Sequence, residues 1–196
     1  MPDTCSADHI STIYRFCAQS MQYPDQSWLT EHYFSSLYGL LDVLGGKKEK
    51  ELLINALNDS NDYLEDLQVE HTRLFINGMP HVVAPPYASV YIEKTLQGKF
   101  SEEILLFYRS LGYSLTEQAD FPDNLIHQLE FLSFLAEDKN QQAEEKFLLR
   151  FFHPWYPLFS KLVKEGSHHP FYHVITTIID FFTKEEKEHG VQFNEA

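Results

Sequence analysis

The chain has 196 residues, enough to bury a core without disulfide staples, and divides most simply into one domain or two small ones. With 15 basic and 29 acidic residues it carries a formal charge of −14, which repels phosphate backbones and anionic head groups and so argues against nucleic acid as a partner. The longest apolar runs, such as Ile104 to Phe107, fall far short of the roughly 20 residues needed to cross a bilayer, so no stable membrane insertion is expected.

The opening MPDTCSADHI carries acids where a secretory leader would carry Lys or Arg, and the 2 cysteines, Cys5 and Cys17, suit reduced thiols in a cytoplasmic protein. Residues 7–21 place Ile10, Ile13, Tyr14, Cys17 and Met21 at helical spacing. A second helix starts after Asp25 or Ser27, turns Trp28, Phe34, Leu37, Tyr38 and Leu41 inward and closes at Gly45-Gly46. Lys47 opens a third through Leu53, Ile54 and Leu57. The fourth, Asp62 to Ile76, carries Leu64, Leu67, His71, Leu74 and Phe75 on one face and acids on the other. Arg73 lies three positions after Glu70, within pairing distance on a helix.

From Glu70 to Tyr91 the chain reads EHTRLFINGMPHVVAPPYASVY. The helix breaks at Asn77-Gly78, and Pro85-Pro86 fix φ and withhold two N–H donors, so the loop cannot pair as a central strand. Two readings stand: a preformed apolar surface, or a stop before a helix that begins at Tyr87. Tyr87 to Leu96 reads as a helix ended by Gly98, with Ser101 capping the next.

A polar stretch from Gly112 to Asn124, with acids at Glu117, Asp120 and Asp123, reads as a hinge. Helices follow from about Asp123 to Glu137 and through Phe147, Leu148, Phe151 and Phe152, where Pro154 kinks the chain or restarts the helix. Pro170 starts the last. No segment alternates with period two, which predicts an all-α bundle of about nine to eleven helices. Its expected division is an N-terminal helical subdomain 1–111, a hinge 112–124 and a C-terminal helical subdomain 125–196.

No catalytic set assembles. Gly45-Gly46-Lys47-Lys48 lacks the offset glycine and the hydroxyl of a phosphate loop. A di-iron bundle needs two ExxH motifs, and only Glu186 to His189 fits. His169 and His173, four apart, could aim at one ion, so a metal-binding helical protein or metal-dependent hydrolase is the alternative reading. His153 reads as a structural residue or a base. The residues favour a binding module over an enzyme, with no cofactor expected.

Glu70-x-x-Arg73-Leu74-Phe75, Gly78 and Pro85-Pro86-Tyr87-Ala88-Ser89-Val90-Tyr91 resemble the E-x-x-R-L-F…P-P-[YW]-x-S-V-Y signature of the TorD/DmsD family of redox-enzyme maturation chaperones. Pro122-Asp123-Asn124 before Leu129-Glu130-Phe131-Leu132 is similar to a second family segment, and His153-Pro154-Trp155 to a looser third. The resemblance implies an all-helical, non-enzymatic cytoplasmic protein. Its partner would be the twin-arginine signal peptide on the precursor of a molybdoenzyme catalytic subunit, bound before export. It also implies a monomer or a homodimer that exchanges halves through residues 112–124. Carried over by position, Leu74, Phe75, Pro86, Tyr87, Asp123 and Asn124 would bind the peptide, and Glu70, Arg73, Ser89, Tyr91 and Glu130 complete the motifs. The chain has Tyr87 where some members have Trp, and Asn124 where many have His. Paired guanidiniums followed by an apolar stretch call for carboxylates beside an apolar groove. Asp123 is then expected to meet an arginine, with Asp123→Ala leaving the melting midpoint near normal, or else to cap the following helix.

Overall fold

Every regular element in the computed structural model is helical, and no strand occurs among the described residues, 4–79 and 81–184. Glu186, His189 and the side chain of Cys5 lie outside what is described. The α-helices are α1 (Thr4–Ser20), α2 (Glu31–Leu44), α3 (Lys47–Asp59), α4 (Tyr63–His71), α5 (Ala88–Ile92), α6 (Lys99–Ser110), α7 (Leu125–Glu137), α8 (Gln141–Phe147), α9 (Tyr156–Gly166) and α10 (Pro170–Thr183). The expected all-α class is therefore observed. None of the described helices is long and apolar enough to cross a membrane.

Side-chain caps set several starts. Thr30 accepts from the Tyr33 N–H before α2, Asp62 from Leu64 and Glu65 before α4, and Asn140 from Ala143 before α8. Gly45, at φ 77°, ends α2 in the left-handed conformation that glycine tolerates best. Two starts differ from expectation. Residues 27–29 spend their N–H groups on a turn, Ser27 donating to the Asp25 carboxylate and Trp28 and Leu29 to the Asp25 carbonyl, so α2 begins only at Glu31. After Tyr87 only five residues are helical, because Lys94 and Gln97 take positive φ. Gly98 then precedes α6 rather than closing α5, and Ser101 is buried within α6.

Both α4 and α8 run on into a wider turn with i to i+5 hydrogen bonding, Thr72–Ile76 and Leu148–Phe152. The Asn77 N–H reaches the Thr72 carbonyl at 2.8 Å, and the His153 N–H reaches Leu148 at 2.9 Å. Such turns are rare and displace the side chains beyond them around the helix axis. As expected, the helix stops before Pro154 and restarts at Tyr156.

The chain forms two compact units that do not follow the boundary expected at 112–124. One comprises residues 1–22 and 84–162, and the other 23–83 and 163–196. In the first, α1 lies along α7: Ser11 Oγ is 3.1 Å from Ser133 Oγ, the Tyr14 hydroxyl donates to Glu144 at 3.0 Å, and Arg15 donates to Ser133 at 2.8 Å and pairs with Glu137. Its core is aromatic, with the ring of Phe131 4.4 Å from that of Tyr108 and 4.9 Å from that of Phe147. The whole 112–124 stretch belongs to this unit, since α1 and α7 are partners that local composition cannot reveal. In the second unit α10 packs on α3. Leu37, Leu41, Leu53, Phe171, Ile175 and Ile178 are buried there.

Candidate functional site

The Glu70–Arg73 pair is present and does more than brace one helix. Glu70 Oε2 accepts from Arg73 Nε at 2.9 Å and Oε1 from an Arg73 terminal nitrogen at 3.0 Å. Oε1 also takes the backbone N–H groups of His168 and His169, at 2.6 and 3.2 Å. Arg73 in turn donates to the Gly166 carbonyl at 2.6 Å. The motif thus clasps the end of α4 to the loop between α9 and α10. Burial alone would raise the Glu70 pKa, but the Arg73 bond, the two backbone donors and the Arg73 charge together hold it below the ordinary carboxylate value. Leu74 and Phe75 are buried in the core of this unit.

In the other unit the diproline loop and the acidic bend meet. Tyr87 and Asn124 form an isolated antiparallel bridge, the Leu125 N–H donates to the Pro86 carbonyl at 2.9 Å, and Ala88 N–H to the Asp123 carbonyl at 3.1 Å. Pro86, Tyr87, Asp123 and Asn124 are thereby brought together, whereas Leu74 and Phe75 belong to the other unit.

Asp123 is fully buried. Its Oδ2 accepts the Ser89 N–H at 2.8 Å, and its Oδ1 has no hydrogen-bond partner. Contrary to the capping role the sequence suggests for the following helix, Asp123 anchors the preceding one, α5. Asn124 caps α7, accepting from the Ile126 N–H at 2.8 Å. The exposed acid at this corner is Asp120. Its Oδ2 accepts from the Tyr87 hydroxyl at 2.6 Å and from Asn124 Nδ2 at 2.9 Å, and its Oδ1 from the Phe121 N–H at 2.7 Å. Sequence reasoning counts Asp120 only as part of an acidic stretch. Glu117 and Asp120 face solvent and Asp123 does not, a difference set by a backbone bridge that no local pattern announces. Burial, then the Asp120 acceptor and its charge, raise the Tyr87 pKa, so the phenol remains a donor.

The remaining motif residues support this corner. Ser89 is buried, its Oγ accepting from the Gln97 N–H at 3.2 Å. Tyr91 rests against Trp155 with ring centroids 5.5 Å apart. Trp155 Nε1 donates to Gln128 Oε1 at 3.3 Å, and Gln128 Nε2 donates to the Asp123 carbonyl at 2.8 Å. The third motif therefore stiffens the second through α7. Glu130 accepts from Tyr113 at 3.4 Å and lies 3.1 Å from His127 Nδ1.

His169 and His173 are not presented as a matched pair. His169 is the cap of α10, its Nδ1 accepting from the Phe171 N–H at 3.2 Å, while His173 is exposed one turn on. Among the described residues no group of three or more His, Cys, Asp or Glu is arranged to hold a metal ion.

The signature residues thus hold loops together within an all-helical frame. The model of the nitrate reductase delta subunit family matches residues 43–161, and the chain belongs to that family, which includes the TorD/DmsD-type chaperones its motifs resemble. The chain is also similar to the crystal structure of a "putative redox enzyme maturation protein" from Archaeoglobus fulgidus, with 26% identity and a TM-score of 0.63. That match covers 94% of this chain and 98% of the other. No curated protein matches.

Proposed function

We propose that this chain is a cytoplasmic chaperone that binds the twin-arginine signal peptide of a molybdoenzyme catalytic subunit until the precursor is loaded and folded. Family membership and the likeness to a redox enzyme maturation protein support the maturation role. One observation carries the reading of the peptide site. Asp120 is exposed, and all three of its hydrogen-bond donors are uncharged, so its negative charge is not neutralised. A carboxylate has about four acceptor positions, which leaves room for a guanidinium. The half-buried Pro86 and Tyr87 beside it offer rigid apolar surface for the residues that follow the arginines. In this reading Asp123 and Asn124 hold the corner in shape, and Asp120 meets the arginine.

Calorimetry with a twin-arginine signal peptide and its Lys-Lys variant tests the reading. Binding of the first should exceed binding of the second, and Asp120→Ala should abolish the difference. Equal heats for both peptides with the unmodified protein would remove arginine recognition.

A further inference from the structure

Helices α2 and α3 and the start of α4 enclose an open cleft of about 760 Å³ that none of the motif residues lines. Phe34 and Tyr38, one turn apart on α2, stack at 6.3 Å, and Tyr63 meets Phe34 edge-on at 5.7 Å. At one end Lys50 Nζ lies 5.8 Å from the Tyr38 ring centre and 2.6 Å from Asp42 Oδ2. A cation is held there between a ring face and a carboxylate. Toward the other end the same parts recur without the cation: the rings of Phe34 and Tyr63, and the exposed Glu31, which has no ion-pair partner among the described residues.

Gly39 also lines the cleft. Glycine weakens a helix interior. Here packing does not demand it, because a Cβ at this position would meet nothing within 4 Å. What the missing side chain does is leave the α2 wall open between Tyr38 and Asp42.

We propose that this cleft is a second docking site, distinct from the Tyr87 corner, for an arginine-bearing segment of a partner protein. The guanidinium stacks on one ring of the edge-on Phe34–Tyr63 pair and pairs with Glu31. Charge complementarity selects such an occupant: among the described residues Glu31 is unpaired, and the chain's −14 attracts cationic segments generally. Arginine fits better than lysine because its planar head stacks on rings and bonds a carboxylate with two parallel donors.

The test uses a fluorescein-labelled, alanine-based peptide carrying one arginine with a leucine four residues later, and the same peptide with citrulline, a neutral isostere, in place of arginine. Anisotropy titrations should show the citrulline peptide, or the Glu31→Gln protein, binding about tenfold more weakly, the scale of one desolvated cation–ring and ion-pair contact. Gly39→Leu should abolish binding without lowering the melting temperature, since the leucine enters open space. All titrations use Asp120→Ala protein, in which the Tyr87 corner has lost its arginine acceptor, so the signal reads the cleft alone. Equal affinity for the arginine and citrulline peptides, or undiminished binding by folded Gly39→Leu or Glu31→Gln protein, would overturn the proposal. Failure of the Asp120→Ala protein to bind the peptide would overturn it as well, by assigning the peptide to the other corner.

Discussion

The Tyr87 hydroxyl and the Asn124 side-chain amide converge on one oxygen, Asp120 Oδ2, at 2.6 and 2.9 Å. The exposed carboxylate is aimed by two residues 37 positions apart that are themselves joined by a backbone bridge. Removing one aiming donor should loosen the acid without disturbing the fold. Tyr87→Phe is expected to cost less than about 1 kcal/mol in urea denaturation, the scale of one partly exposed hydrogen bond. It should weaken twin-arginine peptide binding several-fold by calorimetry. Because the Tyr87 pKa is raised, peptide affinity in the unmodified protein should show no loss from phenol ionisation as pH approaches the ordinary tyrosine value of about 10.

Asp123 and Asp120 should separate cleanly. Asp123→Ala strands the Ser89 N–H in a buried setting and should lower stability by about 1–3 kcal/mol. This reverses the sequence-based expectation of a near-normal midpoint, since that expectation assumed an exposed side chain. Asp120→Ala removes an exposed acid and should leave the midpoint within a few degrees while losing the arginine preference. Thermal melts of the two variants decide it.

Glu70→Ala leaves the Arg73 guanidinium half-buried beside two unpaired backbone donors, and should cost about 3–5 kcal/mol. The pH dependence has a definite sign. The folded pKa lies below the unfolded one, so this contribution is fully present above the ordinary glutamate value of about 4.3 and is lost as pH falls through the folded value. Urea midpoints measured from pH 6 downward should therefore fall less steeply for Glu70→Gln than for the unmodified protein.

Gly78 is fixed by space. A Cβ there would lie 2.8 Å from the Arg73 carbonyl oxygen and 2.9 Å from that of His81, both backbone atoms. Gly78→Ala should lower stability by about 1–3 kcal/mol, the range for overpacking a tight site. A calorimetric melt unchanged from the unmodified protein would contradict the close approach.

The Cys17 thiol is buried, and burial pushes its pKa to about 12. In a Cys5→Ser background it should resist a thiol reagent at pH 8 for as long as α1 stays docked, and react fully in urea. Labelling rates followed by absorbance report this directly.

The helix content was legible because periodicity and caps are local. Pro170 marks a helix start by its own chemistry, Leu37, Leu53 and Ile175 recur at core spacing, and the cap of α7 falls one residue past the expected Asp123, on Asn124. The Glu70–Arg73 pair could be read from three-residue spacing, but its two further acceptor bonds could not. They come from His168 and His169, almost a hundred residues on. The same holds for the peptide corner. A motif match marks Asp123, yet the fold buries it, and the exposed neighbour Asp120 has no motif of its own. The wide turns at Thr72–Ile76 and Leu148–Phe152 have no sequence signature in ordinary helix rules, and Leu74 and Phe75, expected to bind the peptide, lie in the first of them and are buried.

The pairing of α1 with α7 sets a timetable for synthesis. Ser11 touches Ser133 across 122 positions, so the apolar stripe of Tyr14, Cys17 and Ala18 leaves the ribosome long before its cover exists. At typical elongation rates of about 5–20 residues per second that interval is roughly 6–24 s. A protein from a family of redox-enzyme maturation chaperones must itself pass through a period of exposed, unmatched hydrophobic surface.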